Sequence, residues 1–315
     1  MTVETPPVAA KPKGAAARFL DSDVWFSFRR SPVAIVAAIV ALLMVLSALL
    51  APWIAPYNPF DPSSLNLMDG FTRPFSSSMM GHYFVFGSDN QGRDVLSTIL
   101  HGSRISLFVA FMATLFAMLI GISVGLSAGY LGGIYDSIVM RIADIQLSFP
   151  AILIALLIFG VARGVIPPSR HESMAVWVLI IAIGLANWAQ FARTVRGATM
   201  VERQKDYVAA ARIMGVNPLR ILARHILPNV MGPVLVIATI NLALAIIEEA
   251  TLSYLGVGVP PTQPSLGTLI RIGQQFLFSG EWWILFFPAI ALVLLALSVN
   301  LLGDWLRDAL NPRLR

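Results

Sequence analysis

The sequence predicts an all-α integral membrane protein with six transmembrane helices, and three observations carry that prediction. The 315 residues are 57% hydrophobic and only 12% charged, unlike the composition of a soluble domain. The apolar residues fall into blocks of bilayer-spanning length. The basic residues gather at the ends of those blocks and do not form a stripe. A net charge of +5 would also suit nucleic acid, but the chain has only three lysines (Lys11, Lys13, Lys205), and its arginines flank the spans. A membrane surface is the better partner for that pattern. With no cysteine, neither a disulfide framework nor a thiol metal site exists.

Taken in order, residues 1–23 are rich in Ala, Pro and Lys and read as a mobile tail. Val24, Trp25, Phe26 and Phe28, followed by Arg29 and Arg30, make an interfacial segment, with aromatics at headgroup depth and arginines toward anionic lipid. Residues 1–31 together form the N-terminal tail. The uncharged run Pro32 to Ala51, within a first membrane unit of 32–55, is too long for a signal-peptide core and has no convincing cleavage site, so it reads as an uncleaved helix. Residues 56–103 form an external loop containing FGSDNQGRD (Phe86 to Asp94).

Residues 104–304 hold five further spans. Ile105 to Tyr130 carries Gly121, Gly125 and Gly129 at the small-xxx-small period that admits a neighbouring helix. After a Gly132-Gly133 turn, Ile138 to Val161 is the third span, with Pro150 expected to kink it. Met174 to Ala192 is the fourth. Val230 to Leu255, interrupted by Glu248 and Glu249, is the fifth. Trp282 to Leu302 is the sixth, and 305–315 is a charged tail.

Placing the N-terminus in the cytoplasm puts 16 of the 22 basic residues on the inner side and leaves Arg73, Arg93, Arg104, Arg163, Arg170 and Arg271 outside. The positive-inside rule therefore assigns both termini and residues 206–228 to the cytoplasm. That last stretch, DYVAAARIMGVNPLRILARHILP, has the grammar of two short helices. Ala209, Ala210 and Ala211 favour helix, Gly215 ends it, and Asn217-Pro218 restarts it. The second helix is expected to stop before Pro228. A basic helical hairpin projecting from a membrane bundle is a docking element.

Catalytic chemistry finds no support. No GxxxxGK[ST] phosphate loop can be written, and no serine sits in a GxSxG elbow. His82, His101, His171 and His225 lack metal-ligand spacing. The chain therefore reads as part of a translocation pathway without its own ATPase site and with no bound cofactor.

The segment Tyr207 to Pro228 resembles the EAA loop of ABC importer permeases. Ala209, Ala210 and Ala211 occupy the EAA positions, Gly215 follows three residues later, and nine more lead to His225-Ile226-Leu227-Pro228. The departure is Ala209, where the pattern has Glu. FGSDNQGRDVLS (Phe86 to Ser97) is similar to the GTDxxGRDxxSR signature of dipeptide and oligopeptide permeases, with Ser88 for Thr. GLSAGYLGGIY from Gly125, Phe149-Pro150, Leu252 to Gly256 and Asn300 to Asp304 resemble its other landmarks.

The resemblance, to the second or C-type permease of a dipeptide/oligopeptide/nickel-type importer, implies a type I importer permease fold in the bacterial inner membrane. It implies a homologous second permease, two cytoplasmic ATP-binding subunits that supply ATP and Mg, and a periplasmic substrate-binding protein. It further implies coupling to the ATPases through Tyr207, Ala209, Ala210, Ala211, Met214, Gly215, Leu222, Arg224, Leu227 and Pro228. Tyr207, Met214 and Leu222 are the expected apolar anchors.

Asp144, Gln146, Asn187, Gln190, Glu248 and Glu249 are candidates for the substrate path; for the first four, interhelical hydrogen bonding is the weightier reading. Short peptides are the implied substrates. Nickel chelates, glutathione and opines are alternatives within the same architecture. An ion-coupled secondary transporter using Glu248, Glu249 and Asp144 is the alternative from another class.

Overall fold

The computed structural model describes residues 23–61, 65–78 and 81–309; the expected tail at 1–22 and the last six residues lie outside them. Among the described residues, five helices are long and apolar enough to cross a bilayer, and a sharply bent pair of helices makes six where its two halves count as one span. α1 (Asp23–Arg30) is the interfacial segment. Its Phe28 stacks on Trp25 and meets Trp305 edge-on at 5.1 Å, which ties it to the far end of the chain. α2 (Pro32–Leu49) is started by Ser31, whose hydroxyl accepts from Ala34 N, with Pro32 at the first helical position. It buries Ala34, Ala37, Ala41 and Ala48 and leaves its large apolar side chains outward. A short α3 (Ala51–Ile54) follows.

The external loop carries a two-stranded hairpin, β1 (Ser76–Ser77) and β2 (Tyr83–Phe84), with Ser76 opposite Phe84. α4 (Val95–Leu131) then runs 37 residues, about 55 Å at 1.5 Å per residue. The second span thus begins ten residues before Ile105, because Asp94 caps the helix by accepting from Ser97 N. Its chief neighbour is α7 (His171–Glu202), also longer than the fourth span expected from hydropathy.

Gly121, Gly125 and Gly129 lie against Phe191, Ala192, Val195 and Thr199 of α7. A Cβ on Gly125 would sit 2.6 Å from the Ala192 carbonyl oxygen, and one on Gly129 2.8 Å from that of Arg196. The glycine spacing read from the sequence is therefore the seam on which the bundle closes.

The third span is broken where a kink was expected. α5 (Gly133–Leu147) and α6 (Ala151–Val165) meet at 97°. Pro150 has no N–H to give and forces Phe149 out of helical geometry. The break is held to α7 by Gln146, whose Nε2 donates to the carbonyls of Leu185 (2.6 Å) and Ala186 (3.0 Å) while its Oε1 accepts from Trp188 Nε1 at 2.8 Å.

After α8 (Asp206–Ile213) and α9 (Pro218–Ile221) the helix does not stop before Pro228, contrary to expectation. A π-turn over Leu222–Ile226 carries it into α10 (Leu227–Tyr254). Leu227 N donates to Leu222 O in that turn, and Pro228, which has no N–H to give, comes just after it.

The loop after α10 contains an unforeseen amphipathic helix, α11 (Leu266–Gln274), capped by Ser265. α12 (Trp283–Ala309) continues through Trp305 to Ala309, which were read as tail. Two apolar cores result. One joins Leu179, Ile183, Ile246, Leu266 and Leu295 toward the external loop; the other joins Leu126, Phe191, Val195, Val208, Ala211, Ile221, Ile226 and Val230 at the hairpin.

Gly125→Leu should force α4 and α7 apart, costing about 1–3 kcal/mol or more and lowering the thermal midpoint of the detergent-purified protein. Gly197→Ala on α7, where a Cβ meets nothing within 4 Å, should be neutral or stabilising in the same melt.

Candidate coupling hairpin and polar seam

The hairpin at 206–228 is shaped by a helix end. Gly215 adopts φ +71°, its N donates to Arg212 O, and Val216 N reaches back to Ala211 O, both at 3.0 Å. This is the paired closure that an αL residue makes at a helix C-terminus. Asn217 restarts the chain, accepting from Leu219 N at 2.9 Å.

The sequence-predicted coupling residues divide by direction. Ala209, Ala210, Met214, Gly215, Arg224 and Pro228 are exposed. Ala211 is buried, and Leu222 and Leu227 pack on the chain's own hairpin core. Leu222 is thus not an outward anchor. The tip instead shows Ile213, Met214 and Leu219, 87%, 73% and 74% exposed. Ile213 and Leu219 were not singled out from sequence, although large apolar side chains flanking a Gly-Asn turn are a usable signal for a contact surface.

The base of the hairpin is fastened to the bundle by polar groups. Glu202, the last residue of α7 and only 9% exposed, accepts from Lys205 Nζ and from the Tyr207 hydroxyl, each at 2.5 Å. The Tyr207 oxygen in turn accepts from Asn229 Nδ2 at 3.1 Å, and the same nitrogen donates to His225 O at 2.7 Å. Partial burial, then the bond to the Glu202 carboxylate, holds the Tyr207 phenol above its ordinary value, so it stays a donor at neutral pH. Arg203 Nη1 donates to the Gly129 and Tyr130 carbonyls at the end of α4, and the Arg212 guanidinium lies 5.0 Å from the Tyr130 ring centre. Sequence reasoning missed Glu202, since a lone acid between two arginine-rich stretches reads as an exposed charge.

A polar seam climbs α7 from this base. Arg196 clamps Asp136 of α5 through Nε (2.8 Å) and Nη2 (2.6 Å). Arg193 pairs with Asp144, both side chains half exposed. Gln190 accepts from Asn241 Nδ2 of α10 at 3.3 Å, and Asn187 Nδ2 donates to Glu248 Oε2 at 2.7 Å. With Gln146 already bound to α7, each of these candidate path residues makes an interhelical contact.

Glu249 is different. It is 0% exposed and accepts from Ser106 (2.6 Å) and Ser253 (2.7 Å), while Ser106 also receives Leu266 N at 3.2 Å. It does not line a path here, because those bonds knot α4, α10 and α11 around it.

The external FGSDNQGRD stretch is an ordered knot. Asp89 accepts from Gln91 N and Arg93 N and receives Arg93 Nε at 2.6 Å, both side chains buried. Trp283 Nε1 donates to Ser88 O at 3.0 Å and anchors the knot to α12. A Cβ on Gly92 would collide with the Asn66 carbonyl, so no other residue fits there.

Comparison with known proteins covers nearly the whole chain. A family described as "Binding-protein-dependent transport system inner membrane component" matches residues 117–315, and one described as the N-terminal TM domain of oligopeptide transport permease C matches residues 20–70. The chain is 34% identical over 293 residues to the dipeptide transport system permease protein DppC of Haemophilus influenzae, covering 93% of this chain and 95% of that protein. It is 35% identical over 294 residues to the di/tripeptide transport system permease protein DppC of Pseudomonas aeruginosa, with 93% and 92% covered. It is 36% identical over 296 residues to the glutathione transport system permease protein GsiD of Escherichia coli, with 93% and 90% covered. Among solved structures, the inward-facing MetNI methionine ABC transporter is similar in fold, with TM-score 0.52 and 24% identity, covering 69% of this chain and 97% of that one.

The cap between knot and α4 has a measurable signature. Burial of Asp94 raises its carboxyl above the ordinary 3.8, against the lowering effect of its bonds from Ser97. The folded state therefore binds the proton more tightly than the unfolded chain. Its contribution is full below 3.8 and is lost as pH rises through the raised folded value. Asp94→Asn should flatten the fall of the thermal midpoint across that window, and Asp94→Ala should flatten it too while also losing the cap, worth about 0.5–2 kcal/mol.

Proposed function

The chain belongs to the family of binding-protein-dependent transport system inner membrane components, and we propose on that footing that it forms half of the translocation path of an ATP-driven importer of di- and oligopeptides. The relatives named for dipeptide and di/tripeptide transport support the substrate class. The observation that carries the coupling role is the hairpin itself: an apolar tip of Ile213, Met214 and Leu219, the last of them on the α9 helix that continues through the π-turn into α10.

In this reading the chain sits in a bacterial inner membrane with the hairpin in the cytoplasm. A homologous second permease completes the path, two ATP-binding subunits receive the two hairpins, and a periplasmic binding protein delivers substrate to the outer loops. ATP and Mg are held by the partner subunits. No bond in the substrate is made or broken. The permease contributes two arrangements of one path, and nucleotide-driven closure of the ATPases shifts the balance between them.

Displacement of the tip moves α9 and α10 as one lever of 37 residues, about 55 Å long. Because position 209 holds Ala, the contact at that point relies on shape and apolar area. The half-exposed Asp144–Arg193 pair and the half-buried Gln146, Gln190 and Glu248 line the water-filled side, with Asn187 setting the carboxylate of Glu248.

The test uses the complete transporter in proteoliposomes. Met214→Asp with Leu219→Asp should weaken capture of the ATPase subunits about tenfold or more, as expected for central apolar anchors, and abolish uptake. Full uptake by that variant would overturn the coupling role. At the turn, Gly215→Val should impair coupling, because φ +71° is strained for a branched residue even though the space is open. Gly215→Asn should be tolerated, and full coupling in Gly215→Val would show that the left-handed turn is dispensable.

A further inference from the structure

The tip of the hairpin meets its partner, but transmission depends on how the base is joined to the bundle. Two kinds of contact are present there. The apolar core of Val208, Ala211, Ile221, Ile226 and Val230 against Leu126 and Val195 holds the hairpin folded, and the hydrophobic attraction behind it is non-directional. The second kind is directional. The Glu202 carboxylate at the end of α7 takes the Tyr207 hydroxyl of α8, and Tyr207 takes Asn229 of α10. A hydrogen bond to a buried carboxylate is among the stronger protein contacts and weakens steeply with misalignment. The Lys205 bond to the same carboxylate adds less, because the ammonium is half exposed.

Resting on the coupling role of the hairpin, we propose that Glu202 is a positioning residue for transport: with Tyr207 and Asn229 it locks the hairpin base to α7 and α10, so that displacement of the tip becomes rotation of the bundle and is not lost as sliding. Glu202 touches neither ATPase nor substrate. It acts through the stiffness of the joint. The apolar core and the separate Arg203 bonds to the end of α4 remain without it, so its loss leaves the fold and the assembly in place and degrades only the transfer of motion.

The experiment compares Glu202→Leu and Glu202→Gln in the complete transporter, reading peptide uptake per ATP hydrolysed, subunit stoichiometry and thermal midpoint. Glu202→Leu should lower the uptake-to-hydrolysis ratio roughly fivefold or more, the lower range of a typical coupling between sites, with stoichiometry and midpoint retained. Glu202→Gln keeps an oxygen for the Tyr207 hydroxyl and should recover most of the ratio. An unchanged ratio in Glu202→Leu overturns the proposal. Parallel loss of uptake, hydrolysis and ATPase subunits overturns it too, by showing a purely structural role. Should Glu202→Leu fail to accumulate as a folded membrane protein, Asn229→Leu, at an exposed position, cuts the same chain at its α10 end, and a wild-type ratio there sinks the idea. If the Met214/Leu219 tip variant keeps full uptake, the coupling role itself fails. A normal response of the tip variant with an unchanged Glu202→Leu ratio removes the joint alone.

Discussion

Close approach of α4 and α7 is the constraint on which the rest of this structure depends. In lipid, water expulsion gives helices little reason to associate, so contact area and interhelical hydrogen bonds must do it. Gly121, Gly125 and Gly129 bring the two backbones together along about two and a half turns. That contact fixes α7 so that one side of it can offer backbone carbonyls to Gln146 and arginines to the acids of α5, while another offers Asn187 and Gln190 to α10. Buried polar groups in a membrane are tolerable when paired, and here the pairing presupposes the distance that the glycines set.

The same seam explains why much of the architecture could be read from sequence and some of it could not. Glycines at a period of four, apolar blocks of spanning length, and a Gly-Val-Asn-Pro restart are local patterns, and each corresponds to a local structure. The 97° break at Phe149-Pro150 is only half local. Proline ends a helix anywhere, but the angle is held by Gln146 reaching carbonyls some forty residues away. Glu202 is hidden for a similar reason, because its meaning lies in Tyr207 and, through it, in Asn229. The expected stop before Pro228 failed because the π-turn at Leu222–Ile226 carries the helix up to and past the proline.

Of the candidate site, the hairpin was legible as an element but not in its facing. Ala211, Leu222 and Leu227 belong to its inner side, and Ile213 and Leu219 to its outer side. Helical periodicity would ordinarily settle such a division. Here two short helices, a left-handed turn and a π-turn each reset the phase, so no single period runs through the segment. Glu248 and Glu249 show the same limit at one step of sequence: adjacent acids on α10, one half-buried against Asn187 and one sealed between serines.

The π-turn at Leu222–Ile226 has a consequence for how such a chain can vary. One added residue in a helix turns everything beyond it by about 100°. The hairpin's outward face and the face that α10 presents to α4 and α7 are thereby set at an angle that an unbroken helix would not allow. The exposed surface of the hairpin and the membrane-facing register of α10 are thereby set independently of one another. The turn acts as a phase shifter between two sets of requirements that share one helix.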